Sequence, residues 1–254
     1  MGGGGGAGEV VSPHRFFVTE HPASGETLTP SANTSRQIAR ALRLRVGDTI
    51  VVFDGSGGEW PAEIQSADPN AVSLLVGAGE EPERESATRV TLSQAVLKSD
   101  NFELVLQKAT ELGVAAIQPF TCERSVARSA SAFRRERWQR IIREAAEQSG
   151  RTIVPELLEE ADLAGVFATP DRTIMLWEEE GSHSLGEALQ GVSGESLKLI
   201  VGPEGGFSAA AADSARAAGA AVVGLGPRIL RAETAGITAV ALALYEPGEM
   251  SGSS

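Results

Sequence analysis

From residue 90 onward, short apolar runs alternate with stretches of helical period. "VTLSQAVL" (90–97), "AAIQPF" and "TIVPEL" read as strands. "TIMLW", "LKLIV" and "AAVVGLG" are strands without polar alternation, as expected where both faces of a parallel sheet are buried. "FELVLQKATELG" is a helix with Phe102, Val105, Leu106 and Ala109 in one stripe and Gly113 just past its end. "RRERWQRIIREAAEQSG" is a second helix, with Trp138, Ile141, Ile142, Ala145 and Ser149 on one face and Gly150 as its stop. "ADLAGVF" is a short helix, and further helices are expected around 184–190, 208–218 and 234–245. Strands alternating with helices predict an α/β domain built of βαβ units.

The first part of the chain has a different texture. "HRFFVTE", "DTIVVFDGSGGEWPAEIQSA" and "NAVSLLVG" are rich in β-branched and aromatic residues, and "DGSGG" marks a hairpin turn. One short helix, "SANTSRQIARALRL", places Ile38, Ala41, Leu42 and Arg45 on one side. "AGEEPERESATR" (78–89) is charged and poor in large apolar residues, which predicts a linker and a domain boundary near Ser86. Residues 1–8, mostly glycine, read as a disordered lead, and 247–254 as a tail.

Composition narrows the class. With 254 residues, 42% of them hydrophobic, the chain can bury a real core. No apolar run approaches a membrane span, and the N-terminus lacks a signal-type apolar core. Cys122 is the single cysteine, so no internal disulfide forms and a reducing, cytoplasmic setting is expected. A net charge of −12 argues against a generic nucleic-acid binder, but the charge is polarised. Residues 124–151 hold eight arginines against three glutamates, whereas 156–195 hold ten acids against Arg172 alone. The basic stretch is either a functional face or a solvated helix whose charges pair at i,i+4, as Glu136–Arg140, Arg140–Glu144 and Arg143–Glu147 can.

Candidate chemistry lies at the carboxyl ends of the predicted parallel strands, where open α/β sheets bind ligands. Three loops should emerge there: "EEEGSH" after "TIMLW", "GPEGGF" (202–207) after "LKLIV", and "GPRILRAETAG" (226–236) after "AAVVGL". Two begin with Gly-Pro, which combines close backbone approach with restricted freedom. "GPEGGF" is neither a Walker loop nor GxGxxG, and Glu204 would repel a pyrophosphate. A carboxylate among backbone carbonyls suits a neutral or cationic ligand, such as a sulfonium. The plainer reading is a helix-entry turn with Ser208 as N-cap.

"GPEGGFS", followed about twenty residues later by "LGPRILRAETA", resembles the paired signature of the RsmE family. "RFFV", "RQIARALRLRVGDTIVVFDG", "KSDNFELVLQKATELGVAAIQPFTCERSV" and "RWQRIIREAAEQSGRTIVPEL" are similar to its other blocks, in the same order, so the resemblance covers roughly residues 13–246. It implies an S-adenosylmethionine-dependent methyltransferase acting on N3 of a uridine in small-subunit ribosomal RNA. It further implies a PUA-like β-barrel for RNA over 9–86, a SPOUT-type α/β domain with a deep trefoil knot over 87–246, and a homodimer. Another SPOUT-class RNA methylator, such as a 2′-O-ribose enzyme, or a silent RNA-binding assembly factor, are the rival expectations. The chain departs from the family pattern at Gln37, where histidine is frequent, at Ala211, where glutamate closes a capping box, and at Ala232, where threonine is usual.

On this resemblance, Leu176, Gly202, Pro203, Glu204, Gly205, Leu225, Gly226, Ile229, Leu230, Arg231 and Thr234 are expected to hold the cofactor. N3 of uridine carries a weakly acidic proton, so an anion or its precursor must be stabilised. Arg124 or Arg231 is expected to act as the anion or phosphate clamp. Glu233 is expected as a base, as an arginine-orienting group, or as half of an ion pair that pins its loop. Arg228 is expected as a pin or dimer contact. Phosphate contacts are expected from Arg15, Arg36, Arg40, Arg43, Lys98, Arg128, Arg134 and Arg135. His14, His21 and His183 lie outside these motifs, and no metal-ligand spacing occurs.

Overall fold

The structure, a computed structural model, describes residues 13–125, 131–168, 171–248 and 250. The glycine-rich lead and Arg128 lie outside these residues. The chain divides into two compact units between Glu83 and Arg84.

The first unit is a five-stranded sheet in the order β1-β3-β4-β5-β2. Its strands are β1 (Arg15–Phe17), β2 (Thr27–Leu28), β3 (Thr49–Phe53), β4 (Trp60–Ser66) and β5 (Ser73–Val76). β3 and β4 form the antiparallel hairpin that "DGSGG" announced, while β1 lies parallel to β3. Phe16, Ile50, Val52, Ile64 and Leu74 alternate inward and close the core of this unit. The expected single helix is two unlike turns: α1 (Ala32–Arg36), capped by the Ser31 side chain, then a π-turn over Gln37–Ala41. The wider turn explains why a 3.6-residue stripe misplaces residues here. Ile38 is buried and Leu42 packs on the core, but Ala41 and Arg45 face solvent.

The second unit is a parallel sheet in the order β12-β10-β11-β6-β7-β8, with β9 also paired to β7. Its strands are β6 (Arg89–Ala95), β7 (Ala116–Thr121), β8 (Glu156–Leu157), β9 (Ala161–Asp162), β10 (Arg172–Leu176), β11 (Ser196–Val201) and β12 (Ala221–Val223). Both faces are covered, as the uninterrupted apolar strands require. Leu92, Ile174, Leu176, Leu197, Leu199 and Val201 point to one side. There they meet α2 (Ser99–Leu112), α3 (Ala132–Ser149), α5 (Leu185–Leu189) and α7 (Ala232–Tyr245). Ala95, Met175 and Ile200 point to the other, against α4 (Leu163–Val166) and α6 (Ala209–Ala217). α2 and α3 both end on left-handed glycines, Gly113 (φ 108°) and Gly150 (φ 78°), and pair through Phe102 and Trp138, whose ring centroids are 4.4 Å apart.

Two expected elements are shorter than their patterns. In "TIVPEL" only Glu156–Leu157 joins the sheet, because the backbone N–H groups of Thr152 and Ile153 donate to Glu85 and Pro155 has none. In "ADLAGVF" the first two residues pair with β7, and Asp162 then caps α4 through Gly165 N–H at 2.8 Å. Glu85 also pairs with Arg151, which is 6% exposed and donates to the carbonyls of Thr110 (3.1 Å) and Val114 (2.8 Å). No helix among the described residues is long and apolar enough to cross a membrane.

Candidate active site

β6, β10, β11 and β12 run parallel, so their carboxyl ends open on one edge. β11 lies between β6 and β10, while the chain leaves β6 toward β7 on the other side. That reversal of direction creates the crevice in which open sheets bind ligands. A cleft of about 510 Å³ occupies it, within the range of roughly 300–1,000 Å³ usual for small-molecule sites.

The loop after β11 forms one wall, and every neighbouring strand end grips it. Gln94, fully buried at the end of β6, donates from Nε2 to the carbonyl of Gly202 at 3.3 Å. The backbone N–H of Lys98 donates to Glu204 at 3.1 Å. Arg124, after β7, donates from Nη1 to the carbonyls of Gly205 (3.3 Å) and Phe207 (3.2 Å). Trp177, after β10, donates from Nε1 to Phe207 at 3.3 Å. A side chain at Gly206, which adopts φ 66°, would run into Glu178. Ser208 then caps α6 through Ala211 N–H at 3.2 Å, so the loop is both a ligand wall and a helix entry.

The loop after β12 forms the opposite wall. Leu225, Gly226, Arg228, Ile229, Leu230, Arg231 and Glu233 all line the cleft. α7 starts at Ala232 with Arg231 as its N-cap, so Glu233 falls in the first turn, where the helix dipole favours a carboxylate. Glu233 is 7% exposed and has no hydrogen-bond or ion-pair partner among the described residues. Arg228 and Arg231 are exposed and, among the described residues, equally unpaired, so neither pins this loop to the domain.

Leu176, Gly202, Pro203 and Glu204 complete the expected cofactor group in the cleft. Gly205 and Thr234 do not line it: Gly205 packs on Arg124, and Thr234 is exposed on α7. Arg124 lines a separate depression on the far side of the loop after β11. Lys98, expected at RNA, lines the cleft. His14, His21 and His183 do not.

The expected phosphate-binding arginines divide sharply. Arg36, Arg40 and Arg43 are exposed on the first unit, Arg36 being held by Ala32 and Asn33 on its own helix. Arg15 is half-buried, paired with the buried Glu59 and stacked over Phe53. Arg134 donates to the Leu97 carbonyl at 3.2 Å and lies over the Trp138 ring, and Arg135 donates to the Leu157 and Leu158 carbonyls. Gln94, Asn101, Trp177 and Glu178 were not singled out from the sequence. Gln94 carried a usable signal, since a glutamine in a strand buried on both faces needs hydrogen-bond partners, and here Nε2 finds them at the strand ends.

Chemically, the cleft has apolar walls of Leu176, Val201, Leu225 and Leu230, and polar groups of both signs: Glu178, Glu204 and Glu233 against Lys98, Arg228 and Arg231. Such a site fits a mid-sized, partly apolar ligand carrying positive charge, with cations left over for an anion at its mouth.

Among known proteins, the chain is similar to RNA methyltransferases. The family described as RNA methyltransferase domain matches residues 84–244, and the one described as RNA methyltransferase PUA domain matches residues 38–76. The chain is 31% identical over 246 residues to ribosomal RNA small subunit methyltransferase E of Bacillus subtilis, covering 91% of this chain and 96% of that one. It is 35% identical to the Synechocystis protein of the same name, covering 91% of this chain and 77% of that one. The crystal structure of ribosomal RNA small subunit methyltransferase E from Neisseria gonorrhoeae bound to S-adenosyl methionine superposes with a TM-score of 0.84 at 33% identity, covering 91% of this chain and 96% of that one. By sequence and by fold, the chain belongs to the family of ribosomal RNA small subunit methyltransferase E.

Proposed function

We propose that this chain methylates N3 of a uridine in small-subunit ribosomal RNA, using S-adenosylmethionine and giving 3-methyluridine. The observation that carries the reading is the cleft itself: Glu233, largely buried, beside Arg228 and Arg231, none of the three with a partner among the described residues. When bound, the cofactor supplies an electrophilic methyl group on a sulfonium. Leu176, Gly202, Pro203, Leu225, Gly226, Ile229 and Leu230 would hold it in the cleft they line, and Glu204 would complement its positive charge. The residues that remain act on the acceptor. Uridine N3 is a weak acid near the tyrosine range of about 10, so it reaches the cleft protonated. Glu233 accepts that proton, and Arg231 faces the charge that spreads to the uracil oxygens. The leaving group needs no acid, so positioning and exclusion of water are the remaining tasks.

The same reading brings a trefoil knot in the second unit, a PUA-like barrel in the first, a homodimer and a cytoplasmic setting. Dimerisation is supported by apolar surface beside the site: Ile229 is 86% exposed, and Leu242 and Tyr245 are exposed along α7. RNA contact is supported by the exposed Arg36, Arg40 and Arg43.

The test is methylation of unmodified small ribosomal subunits, read by nucleoside mass spectrometry. 3-Methyluridine is expected; 2′-O-methyluridine would move the chain to a ribose-methylating class, and cofactor binding without transfer would make it an assembly factor. Glu233→Gln should lower turnover by roughly 10²–10⁴-fold with cofactor affinity retained.

A further inference from the structure

One oxygen ties three loops together. The Phe207 carbonyl accepts from Trp177 Nε1 at 3.3 Å and from Arg124 Nη1 at 3.2 Å, and the same Nη1 reaches the Gly205 carbonyl at 3.3 Å. Trp177 follows β10, Arg124 follows β7, and Phe207 closes the loop that follows β11. Little slack surrounds this point. The Phe207 ring is buried and stacks parallel to Phe120 of β7, centroids 6.3 Å apart. A Cβ at Gly205 would lie 3.3 Å from both the Cβ and the carbonyl oxygen of Arg124. Arg216 covers the Trp177 ring at 5.5 Å and is itself held by Glu180 at 2.7 Å. Downstream, Ser208 starts α6, so a shift at Phe207 is taken up by residues 202–206, part of the cleft wall.

We propose that Arg124 and Trp177 are positioning residues that act through the Phe207 carbonyl to set the shape of the cofactor-binding loop. This rests on the function proposed above and assigns Arg124 a role different from an anion clamp. Arg124 borders the far side of the loop, in a depression of about 390 Å³ with Cys122 and Asp162, and does not line the cleft. Its Nη1 is already held by two carbonyls of the loop, so the guanidinium is anchored there before any anion meets Nη2 or Nε. Trp177 is among the residues that line the cleft while its N–H points to Phe207, so a replacement that keeps an aromatic side chain but lacks that donor tests the link.

The two donors share one acceptor, which fixes how the variants combine. Either deletion alone leaves the carbonyl satisfied by the other donor; both together leave it without a partner. Arg124→Ala and Trp177→Phe should each weaken S-adenosylmethionine binding by about two- to tenfold in calorimetry, and the double variant by more than the product of the two. The effect should fall on the cofactor KM more than on kcat, with RNA affinity and its salt dependence unchanged. Melting temperatures should fall by roughly 1–6 °C for the one hydrogen bond lost in Trp177→Phe and by roughly 2–12 °C for the two lost in Arg124→Ala. Unchanged cofactor affinity in both single variants overturns the proposal. So does an Arg124→Ala protein that loses RNA affinity and about one unit of salt slope while binding cofactor normally, which is the signature of a phosphate clamp. Trp177→Phe, which keeps an aromatic ring at the position without the indole N–H, carries the test if Arg124→Ala does not fold. A wild-type protein that binds no S-adenosylmethionine sinks the proposed function; a wild type that binds beside unaffected variants sinks this inference alone.

Discussion

Gly224→Ala should unfold the second unit early, whereas the same substitution at Gly186 should stabilise it. Gly224 follows β12 and hands the chain to the cleft wall at Leu225. Its N–H donates to His183 (2.9 Å), and its carbonyl accepts from Leu185 (3.3 Å). A methyl group at Gly224 would collide with the Glu180 carbonyl oxygen and lie 3.4 Å from its carbon. That carbonyl is not free to retreat. Glu180 N–H donates to Trp177 at 3.2 Å, and its carboxylate takes Ser182 N–H at 2.8 Å and Arg216 at 2.7 Å. Overpacking of this kind costs about 1–3 kcal/mol, and losing the two strand-end hydrogen bonds adds about 0.5–1.5 kcal/mol each. A domain of this size loses about 2–4 °C per kcal/mol, so a total of about 2–6 kcal/mol should lower the melting temperature by roughly 4–24 °C. Cofactor affinity should fall with it, because the displaced carbonyl and Leu225 flank the same strand end. At Gly186, inside α5, an added methyl meets nothing within 4 Å. There alanine should add up to about 1 kcal/mol through helix propensity, roughly 2–4 °C. Differential scanning calorimetry of the two variants reads both signs. A Gly224→Ala protein that melts at or above wild type would refute the claim that the Glu180 backbone is fixed.

Arg40 and Arg43 are exposed and without partners among the described residues. Replacing both by glutamine should weaken RNA binding and lower its salt slope by about one for each arginine that meets a phosphate, measured by anisotropy across a salt series. Glu85→Ala should cost about 3 kcal/mol in urea unfolding, because it strips the carboxylate from the buried Arg151. Lys198 is buried in β11, donates to the Val166 carbonyl at 3.0 Å and lies 4.0 Å from Asp171. Burial holds its ammonium below the ordinary lysine range, with Asp171 opposing in part. The folded state therefore releases this proton before the unfolded state does, and unfolding takes one up between the lowered value and about 10.4. Wild type should gain stability relative to Lys198→Met as pH rises through that alkaline window; parallel pH–stability curves would show that Lys198 does not titrate differently on folding.

The helices and the ligand edge were legible because local signals agreed. The stripe ending at Gly113, the stripe ending at Gly150 and two Gly-Pro loops after apolar strands each name an element and its boundary. What periodicity could not supply was the partner of a given atom. The π-turn at Gln37–Ala41 breaks the 3.6-residue rule from within. "TIVPEL" forms only two residues of strand because two of its N–H groups serve Glu85, nearly seventy positions upstream.

The basic stretch 124–151 shows why a charge count and a charge's availability differ. Arg124, Arg134 and Arg135 donate to backbone carbonyls of other loops. Arg137 pairs with Glu103, and Arg151 with Glu85. These five of the stretch's arginines work as ties within the domain. In the cleft the pattern inverts: among the described residues Glu233 is buried without a partner, and Arg228 and Arg231 stand free beside it. A carboxylate held in a cleft wall without a protein partner is available to whatever binds there. Sorting charged residues by whether their partners are already present therefore separates the scaffold from the site. On that criterion Arg124 sorts with the scaffold, and Glu233 with the chemistry proposed for the cleft.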